Sequence, residues 1–213
     1  MILLAIDTTG PDCAVALRQS GRADHLLAET IGRGHAERLA PMVRSLLIDA
    51  GLEPTALDRI AVATGPGSFA GTRVATAFGR GLALACEAEI VGVSNLAVMA
   101  HQAGSHTPLA VAHDAKRGEV ILQIWPGVGA APQEPQRLVV EAALGLLEGF
   151  QGRLAGSATS LLVSGGAEPA GIETPDLTAL LDCGAAADPS IHKPSPFYAR
   201  PPDAKLPGGL TPA

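Results

Sequence analysis

The chain has 213 residues, enough for one large domain or two small ones with a real hydrophobic core. Its formal net charge of −6, unbroken by any Lys/Arg cluster, argues against direct high-affinity nucleic-acid binding, and an aromatic content of 3% argues against base-stacking platforms. Cys13, Cys86 and Cys183 make neither a disulfide framework nor a zinc pattern. The apolar start, Met1 to Ile6, stops at Asp7, too short for a signal peptide or a membrane span, which points to a cytoplasmic, reduced setting.

Ile2 to Ile6 reads as a short apolar strand. Thr9-Gly10-Pro11-Asp12 reads as a turn, Cys13 to Leu17 as a second strand, Gln19-Ser20-Gly21 as a hairpin-like connection and Asp24 to Thr30 as a third strand. Leu39, Met42, Val43, Leu46, Leu47 and Ala50 fall on one helical face, with Gly51 as the stop. Pro41 fits that helix only in its first turn or at a kink.

Ile60 to Ala63 is a further strand that runs straight into Thr64-Gly65-Pro66-Gly67-Ser68-Phe69-Ala70-Gly71-Thr72-Arg73. Glycine takes positive φ freely and proline locks φ, so this stretch fixes a tight backbone path, with Ser68 placed as a helix N-cap. A strand, a glycine turn and a helix start can aim backbone N–H groups at an anion, which makes Gly65, Gly67, Ser68 and Arg73 candidate contacts. The same kind of turn also occurs where helices merely pack closely.

Ala70 to Cys86 reads as the second helix. Gly71, Ala75, Gly79 and Ala83 recur every four residues as a small-residue stripe, beside an apolar stripe of Val74, Phe78 and Leu82. Each glycine costs a helix interior about 1 kcal/mol relative to alanine, so close packing must compensate. Either the stripe packs on its own sheet, or this helix and the one before it form an exposed pair for a partner chain; periodicity alone does not choose. Ile90 to Val93 closes the unit as a strand.

A weaker copy of the same order follows, with strands at Leu109 to Ala112, Val120 to Trp125 and Leu138 to Val140, a helix at Glu141 to Leu147 and a strand at Leu161 to Ser164. From Pro169 on, proline, glycine and alanine dominate without clear periodicity, and Pro194 to Pro202 reads as an extended tail. The repeated order divides the chain into 1–103 and 104–213, an N-terminal lobe carrying both long helices and a C-terminal lobe with the tail.

Several blocks together resemble the TsaB (YeaZ) family. They are Leu4-Ala5-Ile6-Asp7-Thr8, His35-Ala36-Glu37-Arg38-Leu39-Ala40-Pro41-Met42-Val43, the Gly65 to Arg73 turn, Gly81-Leu82-Ala83-Leu84 and Gly92-Val93-Ser94-Asn95-Leu96. Asp114-Ala115-Lys116-Arg117-Gly118-Glu119-Val120 and Pro196-Phe197-Tyr198-Ala199-Arg200 extend the resemblance, while Gly127 to Asp188 is poorly covered. The resemblance implies an α/β fold of two RNase H-like lobes, in the actin/Hsp70-like superfamily. It also implies a non-catalytic partner of a TsaD-type threonylcarbamoyl transferase that makes threonylcarbamoyladenosine on tRNA. A TsaE-type ATPase in the same complex, homodimerisation when the transferase is absent, and only indirect contact with tRNA are further implications. The implied partner interface is a helical bundle formed by Leu39, Met42, Val43, Leu46, Gly71, Val74, Ala75, Phe78, Gly79 and Leu82.

Chemistry of its own is disfavoured by the same comparison. A nucleotide-hydrolysing member of the fold has a glycine third in its first phosphate loop, where this chain has Thr9 after Asp7 and Thr8; those two stay candidate nucleotide contacts. The second such loop needs glycines after Asp114 and finds Ala115-Lys116-Arg117. Catalytic relatives hold a metal with two histidines four apart, and the corresponding positions here are Asn95 and Met99; His101, His106 and His113 do not restore the spacing. The expectation is no cofactor and no metal in this chain, with ATP or ADP only at an inter-subunit site. An autonomous ATP-dependent phosphotransferase or hydrolase and a metallopeptidase are the competing readings. Asp114, Lys116, Arg117 and Glu119 read as a solvated turn or as a contact to a partner or nucleotide.

Overall fold

Leu3 to Ile6 are completely buried, as befits an apolar run covered on both faces of a sheet rather than an alternating strand with one wet side. The structure, a computed structural model, describes residues 1–104, 108–127 and 130–197. This run is β1 (Ile2–Asp7), which pairs antiparallel with β2 (Asp12–Gln19), itself antiparallel to β3 (His25–Thr30). After α1 (His35–Asp49), β4 (Arg59–Ala63) adds parallel to the other side of β1. After α2 (Phe69–Cys86), β5 (Glu89–Val93) adds parallel to β4, giving the order β3-β2-β1-β4-β5.

Helix α3 (Asn95–Ala103) leads to a second sheet of β6 (Leu109–Lys116), β7 (Glu119–Trp125), β8 (Gln136–Val139), β9 (Arg153–Ala155) and β10 (Glu168–Pro169). Here β6–β7 and β7–β8 are antiparallel, β6–β9 and β9–β10 parallel, and α4 (Val140–Leu147) and α5 (Thr159–Leu162) occupy the positions of α1 and α2. The order β10-β9-β6-β7-β8 is that of the first sheet with the same strand directions. These are two RNase H-like lobes of the actin/Hsp70-like type.

Two expectations need correcting. The strand expected at Leu161 to Ser164 is helical: α5 runs into a 3-10 turn, Val163–Gly165, and the strand role falls to the three residues of β9. A short apolar run fits a strand or a helix equally well by periodicity, and three residues leave no period to read. The division at 103/104 is crossed by α6 (Leu177–Ala186), which packs on the first sheet rather than the second. Leu180 and Leu181 join Leu3, Ala5, Ala61 and Val91 in one buried cluster, and a Cβ on Gly184 would overlap that of Ala61. The Asp176 side chain caps this helix by accepting from Ala179 N at 2.7 Å. Asp182 then clamps it, accepting from Arg18 Nη1 at 2.7 Å and lying 3.1 Å from His101 Nε2.

The segment after α6 crosses the edge of the first sheet, where Gly92 N donates to His192 O and Phe197 N donates to Thr64 O, both at 2.8 Å. Phe197 packs beside Leu96, Met99 and Leu109 between the lobes. The remainder of the expected tail, Tyr198 to Pro202, lies outside the described residues.

Pro41 lies inside α1, beyond its first turn, on the exposed side of the helix, where the Glu37 carbonyl that loses its donor is accessible to water. On α2, Gly79 and Gly81 have opposite surroundings. A Cβ at Gly79 would overlap the Val62 side chain, whereas one at Gly81 would meet nothing within 4 Å. Gly79→Ala is therefore expected to destabilise the chain by about 1–3 kcal/mol through overpacking. Gly81→Ala is expected to stabilise it by up to about 1 kcal/mol through helix propensity. Urea unfolding of the two variants measures both signs.

Candidate functional site

The glycine turn lies at the ends of β1 and β4, where its backbone closes on the β1–β2 turn. The Thr9 carbonyl accepts from Ser68 N at 2.7 Å, and Thr8 Oγ1 donates to Gly71 O at 2.6 Å. A Cβ at Gly67 would overlap Thr9 and one at Gly71 would overlap the Thr8 carbonyl, so the space in front of this turn is filled by the chain's own backbone. Gly65 supplies the positive φ, at 92°, that starts the turn. Ser68 Oγ accepts from Gly71 N at 3.2 Å, the N-cap bond of α2. Arg73, the remaining candidate anion contact, lies over the Phe69 ring at 3.8 Å from its centroid.

Asn95 ties a third element to this point. Its Nδ2 donates to Thr9 Oγ1 at 2.6 Å and to Pro66 O at 3.2 Å, and its backbone N donates to Gly65 O at 2.8 Å. Met99, four residues on, is a core side chain. The two positions that the resemblance set against a metal-binding histidine pair are thus an amide that holds the turn and a buried thioether. Among the described residues, no group of three or more His, Cys, Asp or Glu side chains is placed to hold a metal ion. His35, His101 and His113 sit on α1, α3 and β6, and His106 lies outside the described residues.

The Asp7 carboxylate accepts from Thr9 N and Thr9 Oγ1, each at 2.7 Å. Burial nevertheless pushes its pKa above the ordinary carboxylate value, against the downward pull of those hydrogen bonds. The turn between β6 and β7 is of another kind: Lys116 and Arg117 are exposed at positive φ, and Lys116 Nζ holds Asp114 Oδ2 at 2.7 Å. Glu119 pairs with Arg137 on β8. Arg117 is left exposed with no ion pair among the described residues.

The helix-pair residues divide by burial. Leu39, Met42, Val43 and Leu46 are core side chains under α1, and Gly71, Ala75 and Gly79 face the sheet. Val74, Phe78 and Leu82 are half-buried and pack on the same core. The regular stripes are thus the internal faces of both helices, because a helix on a sheet must first bury its longest apolar row; Leu39, Met42, Val43, Leu46, Gly71, Ala75 and Gly79 are closed to a partner by their burial, while Val74, Phe78 and Leu82 keep an exposed part. The outward side carries Pro41, Arg44, Ser45 and Ile48 on α1, and Ala70, Ala77, Gly81 and Leu84 on α2. Ile48 is 62% exposed, Leu84 84% and Phe69 61%, large apolar side chains on a face that also carries small residues and the arginines Arg44 and Arg80. The signal for this face was present as apolar and glycine positions lying off the main periodic rows.

Asp7→Asn tests the local electrostatics. A carboxyl whose pKa is raised on folding favours the folded state below its unfolded pKa and loses that contribution as pH rises through the folded value. Asparagine keeps the acceptor oxygen for Thr9 and removes the buried charge. At pH 7 the variant is expected to melt higher than the parent, with the gap closing in acid; calorimetry across pH measures it.

Comparison with known proteins agrees with this geometry. The family model of TsaD, tRNA N6-adenosine threonylcarbamoyltransferase, matches residues 27–126, a span that includes both α1 and α2. The tRNA threonylcarbamoyladenosine biosynthesis protein TsaB of Escherichia coli (strain K12) is 39% identical over 123 residues, which covers 56% of this chain and 53% of that protein. TsaB of Haemophilus influenzae is 36% identical over 126 residues, covering 56% and 52%. The chain thus matches about half the length of these curated relatives. The solved structure of YeaZ from Pseudomonas aeruginosa superposes with a TM-score of 0.73 at 31% identity, covering 92% of this chain and 99% of that one. With 31% identity over near-complete coverage of YeaZ and the same two-lobed fold, the chain belongs to the TsaB (YeaZ) family.

Proposed function

We propose that this chain is a non-catalytic subunit of tRNA threonylcarbamoyladenosine biosynthesis that binds and supports a TsaD-type threonylcarbamoyl transferase through the outward face of α1 and α2. The observation that carries the reading is that face itself, where Ile48 and Leu84 stand exposed beside a helix glycine, Gly81, with nothing near it. A helix glycine that no internal neighbour requires is accounted for by close approach of an external helix. The transferase family model matches the segment holding both helices, which supports pairing of like lobes. In the same reading a TsaE-type ATPase joins the assembly, tRNA is met through the transferase, and a second copy covers the face when the transferase is absent. The setting is cytoplasmic; among the described residues no helix is long and apolar enough to cross a membrane.

The chain itself holds no nucleotide at the glycine turn in this reading, because Ser68 N, a donor an anion there would use, is already bonded to Thr9 O. Nucleotide, where it takes part, lies at a boundary between subunits. Purified chain that hydrolysed ATP at an enzymatic rate without partners would reject this in favour of an autonomous phosphotransferase or hydrolase.

Gly81→Leu and Leu84→Asp alter only the outward face. Each is expected to weaken association with the transferase by at least about tenfold, a change of ~1.4 kcal/mol, while circular dichroism stays that of the parent. Calorimetric titration against the transferase checks this, and undiminished binding by both variants would place the interface elsewhere.

A further inference from the structure

Four arginines are committed to the chain's own carboxylates, Arg18 to Asp24 and Asp182, Arg38 to Glu29, Arg59 to Glu89 and Arg137 to Glu119. Of the exposed arginines whose side chains have no such bond among the described residues (Arg22, Arg33, Arg44, Arg80 and Arg117), Arg44 on α1 and Arg80 on α2 are the two that lie on the helix pair. Both are exposed on the outward side of the helix pair, and neither has a hydrogen bond or ion pair among the described residues. Arg73 lies seven residues before Arg80, on the same side of α2. The carboxylates of the pair stand at its ends, Glu37 in the first turn of α1, Asp49 in its last, and Glu87 just past α2. The middle of the face is therefore cationic on a chain whose net charge is −6.

We propose that Arg44 and Arg80 make this face select a heterologous partner that presents carboxylates, in preference to a second copy of the chain. The inference rests on the α1–α2 reading above and adds the chemistry of the partner to it. A two-fold dimer built on this face is isologous, so each copy offers the other the same cationic middle. Juxtaposed like charges oppose such a pairing, whereas a partner helix bearing Asp or Glu turns the same guanidinium groups into bidentate contacts. The exposed apolar residues supply attraction to either occupant, and the arginines decide between them. Because these charges lie at the surface, their effect is on encounter and is screened by salt.

The test uses the full chain and the TsaD-type transferase of the same source, with association rates read by stopped flow at about 0.05 M and about 0.5 M salt, either side of the range where the Debye length is ~10 Å. The double variant Arg44→Glu/Arg80→Glu is expected to associate about tenfold or more slowly than the parent at low salt, with the gap closing at high salt. Arg44→Gln/Arg80→Gln should fall between them, and circular dichroism reports that both variants are folded. Sedimentation of the parent chain alone should show self-association strengthening as salt rises. Equal association rates for parent and reversed variant at both salts, or self-association that weakens with salt, would overturn the inference while leaving the interface in place. A parent chain that does not bind the transferase at all would overturn the interface reading, and this inference with it.

Discussion

Thr8 and Thr9 pass so close to the start of α2 that their backbone fills the volume a Cβ would take at Gly71 and Gly67. This approach sets how deeply the helix sits on the sheet and leaves Thr8 Oγ1 within bonding reach of the Gly71 carbonyl. It also shuts the glycine turn, since Ser68 N is directed to Thr9 O instead of outward. Asn95, at the head of the helix that leads to the second lobe, is bonded to the same Thr9. One crowded backbone contact thereby fixes the pitch of α2, the side it shows to solvent and the point from which the second lobe departs.

The same contact explains what was legible in the sequence and what was not. The spacing of Gly71, Ala75, Gly79 and Ala83 announced a closely packed helix, and the Gly-Pro-Gly turn announced its start. Neither named the neighbour, because a small residue admits a sheet, a sibling helix or a foreign chain alike. The residues on the opposite side, Ile48, Gly81 and Leu84, carry no repeat of their own, so only their exposure sets them apart. Lobe two was harder for a different reason. Its strands β9 and β10 have three and two residues, too few for any alternation to register. Helix α6 escaped because its apolar row, Leu177, Leu180 and Leu181, is followed by Cys183, Gly184 and alanines, whose small side chains suit the alanine-lined face of the sheet but look like a loop in composition.

The two lobes share a topology and differ in what they can display. In the first, the crossover after the central parallel strand is an 18-residue helix; in the second, the corresponding α5 has four residues and ends in a 3-10 turn. A helix of one turn cannot carry a row of contacts to another chain. Exposed apolar residues exist there, among them Leu146 and Val163, but on short elements that turn away quickly. The shared topology thus carries an extended helical flank in one lobe and, in the other, helices that mainly cap their own sheet.

Helix α6 carries a consequence for synthesis. The sheet face formed by Leu3, Ala5, Ala61 and Val91 is complete once β5 has been made, yet its covering side chains, Leu180 and Leu181, come some ninety residues later along the chain. A nascent first lobe leaving the ribosome therefore exposes a bare apolar sheet face until most of the second lobe has been translated. The molecule closes from its C-terminal side, so the two lobes mature together despite their separate sheets, and chaperone demand during translation falls on the half that is made first.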